Sequence, residues 1–210
     1  LLVLINILTV QPLLRCIKHC RREIYMRLSG KTAIITGAGS GIGKATALRF
    51  AEEGAVVVCA GLSKEDNETT VGEIEKFGRK AYAIKTDVTS DDDIGKLISQ
   101  SISILKKVDV LINNAGQAVI GTVEEVSSED WDRQLDVNLK SIYRASKTIW
   151  PHFREAGGGI IINTASIAGL IGTPGQASYG VSKAGCVMLT KCMALDGAKD
   201  NIRVNCICPG

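Results

Sequence analysis

Tyr179 and Lys183 stand four residues apart in Tyr-Gly-Val-Ser-Lys, with Ser166 upstream and a glycine-rich turn, residues 36–43, well before them. Helix positions i and i+4 share a face, so the phenol and the ammonium would sit side by side. An unperturbed tyrosine titrates near ~10, too high for base work at neutral pH. A neighbouring cation favours the phenolate and brings such a group toward proton transfer at working pH. The same spacing also fits an exposed helix whose Tyr and Lys do nothing, since a short motif is only a hypothesis. The company these residues keep has to decide.

That company depends on a scaffold. Residues 32–36 read as a short apolar strand. Residues 41–53 have helical spacing, with Ile42, Ala45, Leu48 and Phe50 among the apolar members and Gly54 as the stop. Residues 55–60 form a continuous apolar run, the mark of a strand buried on both faces. A helix over 65–77, a strand over 80–85 and the segment Asp87-Val88-Thr89 come next. Thr89 or Ser90 can cap the next helix, whose first turn holds Asp91, Asp92 and Asp93. Further along, strands are expected over 108–112, 159–164 and 203–207, with helices over 130–154 and 178–198. This alternation predicts an α/β fold, a Rossmann-type doubly wound parallel sheet with helices on both faces. Ligands bind such sheets outside the carboxyl ends of the strands. The candidate residues all fall there: Gly37, Ser40, Gly41, Ile42 and Gly43 after the first strand, Asp87 after the third, Asn113 to Gly116 after the fourth, and Ser166 after the fifth.

The turn Thr36-Gly37-Ala38-Gly39-Ser40-Gly41-Ile42-Gly43 joins a strand to a helix. Glycines let the backbone turn sharply and approach a ligand closely. The helix N-terminus then offers free N–H groups to a pyrophosphate. The spacing of Gly37, Gly41 and Gly43 differs from the GxGxxG dinucleotide fingerprint.

Together, the glycine turn, Asn113-Asn114-Ala115-Gly116, Asn138, Ser166 and Tyr179 to Lys183 resemble the short-chain dehydrogenase/reductase family, in its single-domain branch, from about residue 28 to residue 210. The resemblance implies an oxidoreductase moving a hydride between NAD(P) and an alcohol or carbonyl carbon. It casts Tyr179 as general acid/base, Lys183 as the group that tunes the tyrosine and holds the nicotinamide ribose, and Ser166 as the donor that orients the substrate oxygen. Asn138 would hold a water in a relay from Lys183 to solvent. Asp87 and Val88 would contact adenine, and Asn114, Ala115 and Gly116 would run beside the adenosine ribose. Pro209 and Gly210 would complete the cofactor-binding set. By the same resemblance the last strand and the substrate-binding segment lie beyond residue 210, and a dimer or tetramer would form through the two long helices.

Cofactor choice is read at the end of the second strand, where an acid would accept hydrogen bonds from both ribose hydroxyls of NAD and repel a 2′-phosphate. Gly61 stands there instead. With Lys64 and Ser63 close by, the expectation leans to NADP over NAD.

The remaining features set bounds. The chain of 210 residues suffices for one domain with a sizeable core. A formal net charge of +3, no basic block and few aromatics give nucleic-acid binding no support. Seven scattered cysteines suggest a reducing, cytoplasmic setting and no disulfide frame. Cys16, His19 and Cys20 make at most half a metal site, so no metal is expected. Residues 1–25 read as an appendage or upstream translation ahead of Met26, because the apolar run is short for a membrane span and its basic residues come after it. A domain over 26–210, incomplete at its C-terminus, is the expectation. Two alternatives stay open: a nucleotide-binding scaffold or sensor without turnover, and a member tethered to a membrane by residues 1–17.

Overall fold

A computed structural model describes residues 26–210. Six strands, β1 (Thr32–Thr36), β2 (Val56–Gly61), β3 (Ala81–Lys85), β4 (Val110–Asn113), β5 (Gly159–Thr164) and β6 (Ile202–Ile207), form one sheet in the order β3-β2-β1-β4-β5-β6. Every neighbouring pair is parallel. The chain builds outward from β1 to β3, then returns to the other side of β1 for β4. This reversal opens a crevice between the carboxyl ends of β1 and β4.

The helices are α1 (Gly41–Glu52), α2 (Lys64–Lys76), α3 (Asp91–Leu105), α4 (Ser128–Leu135), α5 (Ser141–Glu155) and α6 (Ala177–Gly197). Successive strand residues point to opposite faces. Ile34 therefore joins a core with Leu97 of α3, Phe153 of α5 and Met193 of α6, whereas Ile35 joins Ala47 and Ala51 of α1 and Ile74 of α2. Serine hydroxyls cap three of these helices: Ser63, Ser90 and Ser127 accept from the amides of Asp66, Asp93 and Asp130. Ser90, not Thr89, starts α3.

The long helix expected over 130–154 is interrupted. A π-helical turn, Asp136–Lys140, separates α4 from α5, and the amide of Ser141 reaches back to the carbonyl of Asp136. A π-turn adds one residue to the helical path and rotates the helix beyond it. Here it carries Asn138 into the interior. The fourth strand also begins later than expected, because the amide of Val108 donates to His152 Nε2 instead of to the sheet ladder.

Phe153 shows how tightly one face is filled. Its ring is fully buried and lies where a side chain on Gly159 of β5 would stand. Truncation to alanine opens a cavity at the β5–α5 seam, and Phe153→Ala is expected to destabilise the fold by about 3–5 kcal/mol, read as a lower urea midpoint.

Candidate active site

The glycine turn is shaped by contact on both sides. Gly37 has φ +66°, and a β-carbon there would lie 2.9 Å from the Ala115 α-carbon. A β-carbon on Gly43 would collide with the Gly37 carbonyl. The start of α1 thus closes directly onto the turn, and no side chain larger than hydrogen fits at either place. Thr36 ties this turn to the end of β4: its Oγ1 accepts from the amides of Asn114, at 3.0 Å, and Ala115, at 3.1 Å. Asn114 Nδ2 returns a bond to the Thr36 carbonyl at 3.2 Å.

The catalytic candidates arrive from α6 and from the turn after β5. Lys183 is 4% exposed, and its Nζ donates to the Thr164 carbonyl at 2.7 Å. The same Nζ lies 5.7 Å from the centroid of the Tyr179 ring, so the i, i+4 spacing does place the cation against the phenol. Burial pushes the Lys183 pKa below the ordinary lysine value of 10.5. The magnitudes explain the direction: one charge-assisted hydrogen bond contributes about 1.5–3 kcal/mol, whereas desolvating an ammonium costs several. Ser166 Oγ accepts from the Ala168 amide at 3.2 Å and donates to the Pro209 carbonyl at 3.4 Å.

Asn138 is held by three bonds. Its Oδ1 accepts from the Gln117 amide at 2.8 Å, and its Nδ2 donates to the Gln117 carbonyl at 2.8 Å and to Ser182 Oγ at 3.0 Å. Ser182 Oγ in turn donates to the Tyr179 carbonyl at 2.7 Å. Gly116 sits between the two groups: a β-carbon there would lie 3.2 Å from Asn138 Oδ1 and 3.5 Å from Lys183 Nζ.

These residues share one opening. A cleft of about 400 Å³ is lined by Gly37, Ser40, Gly41, Ile42, Asn114, Ala115, Gly116, Ser166, Tyr179, Lys183 and Pro209. A larger groove of about 1040 Å³ continues from Gly37, Ala115 and Gly116 to Gly61, Leu62, Asp87 and Val88. The Asp87 carboxylate accepts from the Thr89 hydroxyl and amide, which holds its pKa below the usual carboxylate range. Three expected residues do not line either opening, Asn138 being buried beside Gly116. Gly43 is sealed beneath the turn, and Gly210 packs on Ile167. At the ribose end, Lys64 pairs with Glu68 at 3.4 Å, and the Ser63 hydroxyl is engaged in capping α2.

Several supporting residues escaped the sequence reading. Gln134 is fully buried and donates to Ser178 Oγ at 2.7 Å. Asn113 donates to Asn163 Oδ1, and Asn163 to Thr190 Oγ1, both at 2.9 Å. Their signal was a polar residue at a position whose periodicity calls for an apolar one. Among the described residues, no cluster of three or more His, Cys, Asp or Glu is placed to hold a metal, and no helix is long and apolar enough to cross a membrane. Cys16, His19 and Cys20, and the tether considered over 1–17, lie outside the described residues.

The chain matches the short chain dehydrogenase family over residues 31–210. It belongs to that family. It is 40% identical to the 3-oxoacyl-(acyl-carrier-protein) reductase of Thermotoga maritima, covering 88% of this chain and 75% of that protein. It is 41% identical to the meso-2,3-butanediol dehydrogenase of Serratia marcescens, covering 88% of this chain and 72% of that protein. A 7α-hydroxysteroid dehydrogenase, solved with NADH and 7-oxo glycochenodeoxycholic acid, superimposes with a TM-score of 0.85 at 39% identity, covering 89% of this chain and 72% of that one. The protein is an oxidoreductase of the short-chain dehydrogenase/reductase type, built on the Rossmann-like sheet described above.

The buried lysine has a consequence for stability. The unfolded chain keeps the Lys183 proton to higher pH than the folded chain does. Below the folded pKa both states are protonated and the penalty of burying the charge is present in full. As pH rises from there toward 10.5 the folded state sheds the proton first and gains stability. Urea midpoints measured across that range should show this gain in the wild type and lack it in Lys183→Met.

Proposed function

We propose that this short-chain dehydrogenase interconverts an alcohol and the corresponding ketone or aldehyde with a nicotinamide dinucleotide, NAD or NADP, as redox partner. The observation that carries this reading is the convergence of Tyr179, Lys183 and Ser166 on the same cleft as the glycine turn. The bound nicotinamide supplies or accepts the hydride. The chain supplies the rest.

The N-terminus of α1, beneath Gly41 and Ile42, offers backbone N–H groups to the pyrophosphate. Asp87 and Val88 wall the adenine end, and Asn114 to Gly116 run beside the ribose. Tyr179 gives or takes the proton on the substrate oxygen. A cation beside a phenol stabilises the phenolate, which is the form needed to accept that proton. Lys183 provides the cation and is free to donate to ribose hydroxyls with its remaining N–H bonds. Ser166 presents its hydroxyl at the same mouth, where a developing oxyanion needs a donor. Asn138 sets Gln117 and Ser182 and stands beside Lys183, where a water relay would lead the proton outward.

The mouth carries Ile167, Leu170 and Ile171, all exposed. An uncharged, largely apolar alcohol or ketone suits it. Acyl-thioester reduction, suggested by the Thermotoga reductase, is the second reading. Tyr143, Met188 and Leu195 leave apolar surface on α5 and α6, which supports self-association through these helices as a dimer or tetramer. Five free thiols among the described residues, Cys59, Cys186, Cys192, Cys206 and Cys208, support a reducing, cytoplasmic setting.

Removing the phenolic proton carrier while keeping its ring tests the reading. Tyr179→Phe should lower kcat by about 10²–10⁴-fold on the best alcohol or ketone of a substrate panel. Its affinity for reduced cofactor, followed by fluorescence, should stay within a few-fold of wild type. Undiminished turnover in that variant would sink the assignment. A wild type that binds cofactor but turns nothing over would favour a sensor or scaffold instead.

A further inference from the structure

The helix that carries Tyr179 and Lys183 begins without a side-chain cap: Gln176, at its start, makes no such bond to the amides that follow. In α2, α3 and α4 a serine does that work. The first turn of a helix leaves backbone amides unpartnered, and an end without a cap is less firmly held. Tyr179 stands in that turn. A proton carrier nevertheless has to be held in place, since a displacement of about 1 Å can cost about 10²-fold in rate.

Gln134 supplies the missing hold. Its Nε2 donates to the hydroxyl of Ser178, the residue before Tyr179, at 2.7 Å. Its Oε1 accepts from the amide of Val119, in the loop that follows β4. Gln117 and Ala118, just ahead of Val119, line the catalytic cleft. The same loop also meets the start of α6 directly, where the Gly121 amide donates to the Gly175 carbonyl at 2.8 Å. One turn along from Gln134, Asn138 repeats the pattern, with Gln117 on the loop side and Ser182 on the helix side.

We propose that Gln134 is a positioning residue for the reaction: by tying Ser178 to Val119 it fixes the Tyr179 phenol against the loop on the substrate side of the cleft. This rests on the reading of Tyr179 as the proton carrier. Gln134 is fully buried and lines neither opening, so it acts only through its two partners. A tie at Ser182 alone holds one point of α6 and leaves the first turn free to pivot, carrying the phenol away from Ser166. The second tie removes that freedom. A side-chain amide suits the task because it offers a donor on one side and an acceptor on the other. An apolar side chain of the same size fills the space but sets no fixed distance between loop and helix.

Steady-state turnover with the best alcohol or ketone, alongside cofactor fluorescence and melting temperatures, tests this. Gln134→Met keeps the volume and removes both bonds; kcat should fall about 10–100-fold, with the affinity for reduced cofactor within a few-fold of wild type. Ser178→Ala breaks only the helix side of the tie and should lower kcat in the same way, and joining the two changes should cost little more than Gln134→Met alone. Gln134→Glu keeps the acceptor for Val119, and the Ser178 hydroxyl can turn to donate to the carboxylate. Its turnover should return to within a few-fold of wild type even though a buried charge lowers the melting temperature. The decisive comparison is made in a Tyr179→Phe background. There Gln134→Met should leave the residual rate unchanged, because no phenol remains to be placed; if that variant does not fold, Ser178→Ala decides in its stead. An equal loss in both backgrounds would overturn the proposal, as would wild-type kcat in folded Gln134→Met. Undiminished turnover in Tyr179→Phe itself would instead overturn the reading of the tyrosine on which the proposal rests.

Discussion

The structure depends on keeping one ammonium group out of water and close to one phenol. Lys183 reaches the Thr164 carbonyl at the end of β5 only because α6 comes down almost onto the strand ends. Glycines make that approach possible. A β-carbon on Gly169 would press on the Lys183 carbonyl at 2.7 Å, and one on Gly185 would lie 2.7 Å from a Leu139 methyl. Gly116 leaves the space in front of the ammonium free. Bulk at any of these places would push α6 away from the sheet and return the cation to solvent, where its influence on a neighbouring phenol is screened.

The same helix is held laterally by amides. Gln134 binds Ser178, and Asn138 binds Ser182. Both pairs cross from the α4 and π-turn segment to α6, and they straddle Tyr179. Residues 134 and 138 are four apart, as are 178 and 182, so two helical faces are laced at consecutive turns. Because buried amides must find partners with defined geometry, they specify register more sharply than apolar contacts would. The π-turn belongs to this arrangement: it brings Asn138 into the seam and lets the same side chain hold Gln117 at the end of the β4 loop.

Much of this was legible in the sequence. The apolar runs located the strands to within a residue or two, because a strand buried on both faces has to be apolar throughout. The glycine turn, the four-residue spacing of Tyr179 and Lys183, and Ser166 after a strand pointed to one end of one sheet, and the structure puts them at one cleft. The features that escaped depend on a hydrogen-bond partner far away in sequence. Periodicity could not reveal that the helix through Asn138 changes its ladder, since the apolar stripe continues on either side. The poor helix propensity of Asn was the only trace. Asn163 and Gln134 looked like interruptions of an apolar pattern, and only their partners Asn113 and Ser178 make sense of them. Asn67 is a related case: its Oδ1 is sealed behind Gly61 and Gly39 without a hydrogen-bond partner, and only the fold brings those glycines over it.

Local rules are broken in this protein mainly around the groove, which is where function needs them broken. Lys183 carries a charge where burial disfavours one. Asn67 leaves an acceptor without a donor on the ribose side. Arg144, on the opposite wall, has its Nε and Nη1 buried without hydrogen-bond partners, although Nε stands 3.2 Å from an Asp91 carboxylate oxygen. Its Nη2 contacts Asp136 at 2.9 Å, the residue that opens the π-turn. Arg144 also lies near enough to Asp87 to favour that carboxylate electrostatically. One guanidinium thus spans the adenine wall and the turn that positions Asn138. Stability alone would be better served by apolar side chains at all three places. Lys183 and Arg144 both line the openings at the carboxyl ends of the strands, and their placement there makes physical sense only if the groove, and not merely the fold, is what this sequence encodes.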